Sequence, residues 1–573
     1  MGRDVRMTTQ VQQYPMKPAP AERTLWPIAA VIAVVVIAAA GLNWSFHHPF
    51  PVHWDEALDV NDAQIDTQRL QHGMLVKLAG RLLIKSLGKP PAYRLVALPL
   101  LGLVGFHIAA ARFVSLACFA VSSLFLYLAT RRIAGRAASS FAVLIFCLSP
   151  VVVSASIWFS TEGPLYLATS AMFYYLFLIW TDESEHSRSW IGLGLAVALG
   201  LLSKASFFAI VVPLMTFAIV VALRGQVGGR SFASLWKAGL LASLVALPWW
   251  SLNIKPAIGV AEQARGFVAN SLGPPSIATS LRWLSTVFQG LLGYGLGLLV
   301  VLILLLWAYR ALVKRDAALD PLQKTALWAC VAAGLPIVLV QLSGTNHLLR
   351  HVSPAMIPLA ITVGVLAGNV GWLRSAPAIV FSSILFCVQL GMIVAPVVVP
   401  NQRPLNAAFV NVSLPWQVMA RREQWDWQPV LTISHDCGIA SPKIGYIGMG
   451  PTFNPPQIEH PWVAAAGATS NETFPYADVQ LLWRFGQGPP DWQKVMDSAE
   501  QSDLVMTAPH YLGDLDNRGM DNQYNAEFAG RLSSDHLFRT PISLAMGRFE
   551  PVEVEVFVRK SLSCRLPEQA ATP

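Results

Sequence analysis

Charge is what this 573-residue sequence has least of: Asp, Glu, Lys and Arg together make up 13% of it, about half the ~25% usual in a soluble globular protein. That shortage excludes an ordinary soluble enzyme, a disordered chain and an acidic or basic solvating tail. Cysteine is scarce too, with six in the chain and no CxxC or Cys/His spacing, which excludes a disulfide-stapled scaffold and a structural zinc site. Cys118, Cys147, Cys330 and Cys387 lie inside apolar runs. Cys437 and Cys564 lie in a polar C-terminal part, where a disulfide between them is left open. A basic soluble face is also missing. The net charge is +8, yet from Val397 onward 13 Lys and Arg stand against 19 Asp and Glu, leaving +14 for the preceding part. The only candidate soluble domain is therefore acidic, which excludes nucleic acid as a partner. What the chain has instead is 54% hydrophobic residues, 19 Trp and 27 Phe, with a mean hydropathy of +0.48. It reads as a polytopic α-helical membrane protein.

Apolar stretches of the length that crosses a bilayer as helix recur near 25–43, 108–130, 137–157, 163–180, 190–203, 205–223, 235–252, 285–309, 325–342, 352–372 and 376–396. This predicts about 11 transmembrane helices, the 190–203 stretch being the shortest. Basic residues follow the second span (Arg131, Arg132, Arg136), the sixth (Arg224, Arg230, Lys237) and the eighth (Arg310, Lys314, Arg315, Lys324). By the positive-inside rule these loops are cytoplasmic. The N-terminal tail, 1–24, then lies inside, and an odd number of spans puts the C-terminal domain, 397–573, outside. The transmembrane domain is 25–396, with an outer loop at 43–107 and another from about Asn253 to Arg282. In the C-terminal domain, Pro429-Val-Leu-Thr-Ile-Ser and Ser502-Asp-Leu-Val-Met-Thr read as short strands, and Val552-Glu-Val-Glu-Val-Phe-Val alternates with period two. An extracytoplasmic α/β domain is expected there.

The outer loop opens with His53-Trp54-Asp55-Glu56 and continues to Asp59, Asp62 and Asp66. Adjacent carboxylates in a helical turn face different directions, so one can point into a cleft while the other caps or pairs; the plainer reading is an acid at a helix start. From Gln68 to Ile84 apolar residues at three-to-four spacing predict a helix lying in the interface, with Lys77, Arg81, Lys85 and Lys89 facing water or lipid phosphates. Lys89-Pro90-Pro91 then fixes a rigid turn at the membrane surface, although a lysine there also reads simply as snorkelling to headgroups. Glu162, at the outer end of the third span, and Lys204 and Arg350, at later outer span ends, complete a set of ionisable groups on one side of the membrane. A transporter tends instead to place such groups near the midplane.

The order of His53-Trp54-Asp55-Glu56, Lys89-Pro90-Pro91, Ala111-Arg112-Phe113 with Tyr127-Leu128 and Arg131-Arg132-Ile133-Ala134-Gly135-Arg136, Leu148-Ser149-Pro150, Ser160-Thr161-Glu162, Gly200-Leu201-Leu202-Ser203-Lys204, and Leu349-Arg350-His351 before Pro354 and Pro358 resembles the protein O-mannosyltransferase and lipid A aminoarabinose transferase superfamily. The resemblance covers roughly 43–360. His351, where many relatives carry an aromatic residue, departs from the pattern. It implies a C-type glycosyltransferase fold in an inner (plasma) membrane and a polyprenyl-phosphate-linked sugar donor. The acceptor, a lipid, polysaccharide or protein, is left open, and membrane lipids surround the chain. It makes Asp55 the general base, Glu56 a support or acceptor ligand, and Glu162 a second acid orienting donor or acceptor. Lys89, Lys204 and Arg350 become candidates for binding the donor phosphate. The chemistry suits one carboxylate: a leaving polyprenyl phosphate is already a stable anion and needs no general acid, whereas a glycosidase needs two carboxyl groups. Some relatives bind a divalent cation and others do not. His47, His48 and His53 stand near Asp55, but histidines at an interface read first as hydrogen-bonded loop residues, so no metal ligand is assigned, while a divalent cation, with His53 as its candidate ligand, is left open. The competing class is a transporter or flippase of lipid-linked sugars, whose charges would bind headgroups without chemistry.

Overall fold

The computed structural model describes residues 25–52, 54–84, 89–181, 188–228, 231–272, 276–343, 349–398, 425–448, 450, 453–466, 477–483, 489–511, 522–547 and 552–565. Eight helices within them are long and apolar enough to cross a membrane, and three shorter apolar helices, Ala92–Val104, Ser189–Leu201 and Ser353–Asn369, accompany them. Two of the eleven expected spans, 190–203 and 352–372, are among these shorter helices. A third, 137–157, is broken. Helix α5, Ile108–Cys147, bends at Gly135, whose φ of 82° favours glycine, and its second arm gives way at Leu148 to the short α6, Pro150–Ile157.

Helices α1 (Leu25–His47), α5, α7 (Glu162–Thr181) and α13 (Met356–Asn369) meet in one apolar core, where Phe141, Phe146, Phe173, Phe177 and Ile361 are fully buried. Farther out, α10 (Ser231–Leu272), α12 (Pro321–Ser343) and α14 (Ala376–Val398) leave Leu240, Leu244, Trp328, Leu339 and Ile384 exposed. Surfaces this apolar are stable against lipid rather than water. The expected outer loop from Asn253 is largely helix: α10 tolerates Pro256 and runs on to Leu272, and α11 starts at Ile277.

The first outer segment folds into α2 (Trp54–Gln71), α3 (Leu75–Ile84) and α4 (Ala92–Val104). Gly73, with φ of 69°, turns the chain between α2 and α3, so the expected 68–84 helix is two helices. In α3, Leu75, Val76, Leu83 and Ile84 are exposed while Leu78 is buried, the pattern of an interfacial helix. Its Arg81 does not face water or lipid as expected. The side chain turns inward to Asp62 and Asp66, because two carboxylates one turn apart offer it more than a headgroup does.

The C-terminal domain is a five-stranded sheet of order β2-β1-β3-β5-β4, built from β1 (Lys443–Tyr446), β2 (Asp478–Leu481), β3 (Leu504–Thr507), β4 (Ile542–Met546) and β5 (Val552–Val558). β1 runs parallel to β2 and β3, and β5 antiparallel to β3 and β4. Val554, Val556 and Val558 face a core with Val430, Ile458 and Trp462, from α15 (Gln428–Asp436) and α16 (Pro455–Ala466). Phe557 faces the other core with Val495, Phe528 and Leu532, from α17 (Trp492–Glu500) and α18 (Asn525–Ser534). The Pro429 segment expected as a strand is α15. Pro429 sits in a first helical turn, where a missing N–H costs nothing, and Val430, Leu431, Ile433 and Ser434 are buried at helical spacing. The Cys437–Cys564 disulfide forms, joining the residue that ends α15 to the segment after β5.

Candidate functional site

Asp55, Asp59, Asp62 and Asp66 recur at intervals of four, three and four residues, which at ~100° per residue keeps all four within about 60° of one face of α2. Cations from three other parts of the chain meet this stripe. Lys89, held in front of Pro90 and Pro91, places Nζ 3.0 Å from Asp59 Oδ1 and 3.4 Å from Asp55 Oδ1. Arg350, from the 3-10 turn Leu349–His351, donates to Asp55 Oδ2 and lies over the Trp158 ring, 5.3 Å from its centre. Farther along, Arg81 donates to Asp62, the Tyr93 hydroxyl donates to Asp62 Oδ2 at 3.3 Å, and Arg94 binds Asp66 with two hydrogen bonds of 2.5 and 2.8 Å. Asp55, at the head of the stripe, is the most exposed of the four at 28%, against 2% for Asp59, 16% for Asp62 and 1% for Asp66. Lys89 is thus not a free snorkel as its position in the sequence suggested: two carboxylates of the same helix claim it.

Glu56 turns the other way. It is fully buried and accepts from Arg112 Nε at 2.7 Å and Nη2 at 2.9 Å. The Val52 N–H donates to its Oε2 at 2.8 Å and the Phe159 N–H to its Oε1 at 3.1 Å. Arg112 also donates to the backbone carbonyls of His48 and Phe50 and stacks on Trp44 at 4.6 Å. This one carboxylate therefore ties the start of α2 to α5 and to the segment leading into α7. That segment carries Ser160, Thr161 and Glu162. Lys204 donates to Glu162 Oε1, and Tyr166 and Ser353 hydroxyls meet at 2.6 Å, Ser353 donating on to the Arg350 carbonyl at 2.7 Å. Asp55, Lys89, Arg350, Glu162 and Lys204 so converge at one end of the bundle, while Glu56 is adjacent but turned into the core.

Burial pushes the Asp59 carboxyl up to about 7, with Lys89 opposing and the Asp55 and Asp62 charges adding to it. Burial also opposes the charge on Lys89, but Asp59 and Asp55 outweigh it and hold the ammonium above its ordinary range. Burial, helped by the Lys204 and Arg350 cations, holds His351 well below its usual value, so its ring is neutral.

His47 and His48 use Nδ1 on the carbonyls of Asn43 and Trp44, and His53 lies outside the described residues. Among the described residues no three His, Cys, Asp or Glu side chains gather as metal ligands. Lys89 and Arg350 both lie against Asp55.

Two features escaped the sequence reading. The i, i+4, i+7, i+11 spacing of the aspartates is the sequence signal for the stripe. The roles of Arg94 and Arg112 had no local signal beyond being arginines inside apolar helices. The C-terminal domain also reaches this helix: Asn61 Nδ2 donates to the Pro456 carbonyl at 2.8 Å, Asn61 Oδ1 lies 2.8 Å from His460 Nδ1, and Gln457 Nε2 donates to the Pro51 carbonyl at 2.8 Å.

The chain matches the family model described as dolichyl-phosphate-mannose-protein mannosyltransferase over residues 88–252, a segment that holds Lys89, Arg112, Glu162 and Lys204. Comparison with curated proteins finds no match. Among solved structures it is similar to ArnT from Cupriavidus metallidurans in the apo state, with a TM-score of 0.51 and 15% identity, covering 93% of this chain and 98% of that one. It is similar to the same protein bound to undecaprenyl phosphate, with a TM-score of 0.50, 14% identity and the same coverage. It is also similar to the arabinofuranosyltransferase AftD from Mycobacteria, with a TM-score of 0.51 and 14% identity over 94% of this chain and 40% of that one. These likenesses establish the fold. The chain is a multi-pass membrane protein with the C-type glycosyltransferase fold that its sequence motifs implied, and it carries a C-terminal α/β domain.

Proposed function

We propose that this protein is a membrane glycosyltransferase that moves a sugar from a polyprenyl-phosphate carrier to an acceptor hydroxyl on the outer face of the inner (plasma) membrane, with Asp55 as general base. One observation carries the reading: a partly open carboxylate, Asp55, contacts two cations, Lys89 and Arg350, at one end of the bundle, on a fold shared with a structure bound to undecaprenyl phosphate. A donor phosphodiester competes with Asp55 for those cations. As Lys89 and Arg350 turn to the phosphate, Asp55 is left to accept the proton of the acceptor hydroxyl. The hydroxyl oxygen attacks the anomeric carbon from the face opposite the phosphate, the bond from that carbon to the phosphate oxygen breaks, and configuration inverts. The bonding pair leaves with the polyprenyl phosphate, where the cations stabilise it. Glu162 keeps Lys204 at the same site, and Glu56 supports the base by fixing the helix start. The basic loops at Arg131–Arg136 and Arg310–Lys324 support a cytoplasmic side opposite the site and an external domain from about Val397, where it can meet an acceptor.

The test is single-turnover transfer from a labelled polyprenyl-phosphate sugar by detergent-purified protein, run beside a donor-binding assay. Asp55→Asn keeps shape but cannot take the proton, so donor still binds and transfer falls by ~10²–10⁴. Near-normal transfer by that variant removes Asp55 as the base, and donor binding without transfer by the unmutated protein favours a carrier of lipid-linked sugars.

A further inference from the structure

We propose that Asp59 is a positioning residue of this site, holding the Lys89 ammonium in place for the donor phosphate while Asp55 takes up and gives back its proton. The proposal rests on the glycosyltransferase reading above. Its basis is geometric. Lys89 lies between two carboxylates of one helix face, and the buried one is nearer, at 3.0 Å against 3.4 Å. Asp59 is 2% exposed and Asp55 28%, so only Asp55 can meet a substrate. A residue that accepts a proton in each turnover cannot also be a constant anchor: once neutral, Asp55 no longer attracts the ammonium. Asp59, one turn further along α2, is shielded from the acceptor and does not take the acceptor's proton. It also offsets the burial that opposes a charge on Lys89.

The groups facing this pair are Asp55 and Asp62 from α2, Tyr93 from α4 and Arg350 from the turn at Leu349–His351. Because burial brings Asp59 to about 7, the anchor itself switches near neutrality. Above that pH Asp59 is an anion and Lys89 is held; below it Asp59 is neutral and the hold weakens.

The experiment uses the full chain in detergent and undecaprenyl methyl phosphate as probe, a phosphodiester whose single charge does not change in this range. In the unmutated protein, affinity for the probe falls about tenfold between about pH 8 and pH 6, the size expected for losing one charge-assisted contact. Asp59→Asn is about tenfold weaker at pH 8 and flat with pH, and Asp59→Glu restores both affinity and the pH limb. In a Lys89→Ala background, Asp59→Asn costs nothing further. Asp59→Asn binding as tightly as the unmutated protein, or with the same pH limb, overturns the proposal. Should Asp59→Asn not fold, the unmutated protein and Lys89→Ala decide alone, since a pH limb that survives the loss of Lys89 equally overturns it. A folded, unmutated protein that binds no probe at any pH overturns the glycosyltransferase reading itself, a result distinct from the failure of Asp59 alone.

Discussion

The head of α2 and the rest of its buried surroundings use the same side chains for opposite purposes. At Asp55, Lys89 and Arg350 the charges are 18–28% exposed and shared unevenly among several partners. At Glu56–Arg112 and Asp66–Arg94 they are 0–1% exposed and closed by paired hydrogen bonds. Breaking a closed pair strands a charge in the core. An open cluster trades partners cheaply. Chemistry is therefore expected at the first and stability at the second, although Asp55 and Glu56 are neighbours in sequence.

The sharpest way to break this contrast is to exchange the expected losses. Asp55→Asn lowers transfer by ~10²–10⁴ while its thermal midpoint stays with the unmutated protein; a large drop in midpoint would make Asp55 structural. Next, Arg112→Ala leaves Glu56 buried without its cation, so the folded state loses ~3–5 kcal/mol, read as a lowered unfolding temperature in detergent. A stable Arg112→Ala protein would show that the closed pair holds nothing together. Lys89→Ala and Arg350→Ala come third: each raises the donor KM about tenfold, as loss of one charge-assisted phosphate contact should, with the protein still folded. If both keep full activity, the cations belong to headgroups and the open cluster is not a phosphate site. The smallest effect is at the seam between the domains. Gln457→Ala removes one hydrogen bond to the Pro51 carbonyl, costing ~0.5–1.5 kcal/mol, detectable as earlier protease cleavage between the domains. The domain itself, with two cores of its own on either face of its sheet, folds when expressed alone and transfers no sugar.

Much of this was legible in advance because it is local. Hydropathy marks helices such as Leu25–His47 and Ala376–Val398 directly, and the period-two run at Val552 could only be a strand. Adjacent acids at Asp55 and Glu56 pointing apart follows from helix geometry. Where tertiary contacts outweigh local pattern, the reading failed: Pro429-Val-Leu-Thr-Ile-Ser has β-prone residues but is helical because it packs along the sheet, and Arg81 was assigned to water because its partners lie 15 and 19 residues earlier. The site shows the same limit. The residues of the site could be picked out as polar groups at outer span ends, but nothing local says that Lys89 chooses Asp59 over lipid, or that Arg112 closes on Glu56.

By itself the sequence determined that the chain lives in a membrane, roughly where it crosses, and, through the order of its motifs, which fold it adopts. These depend on the solvent that each segment prefers, a property summed over neighbouring residues. Only the tertiary structure decided which charges pair, because partners such as Asp55 and Arg350 stand 295 residues apart. An ion pair forms where folding leaves two groups at contact distance with little water between them, and that depends on where every intervening helix packs.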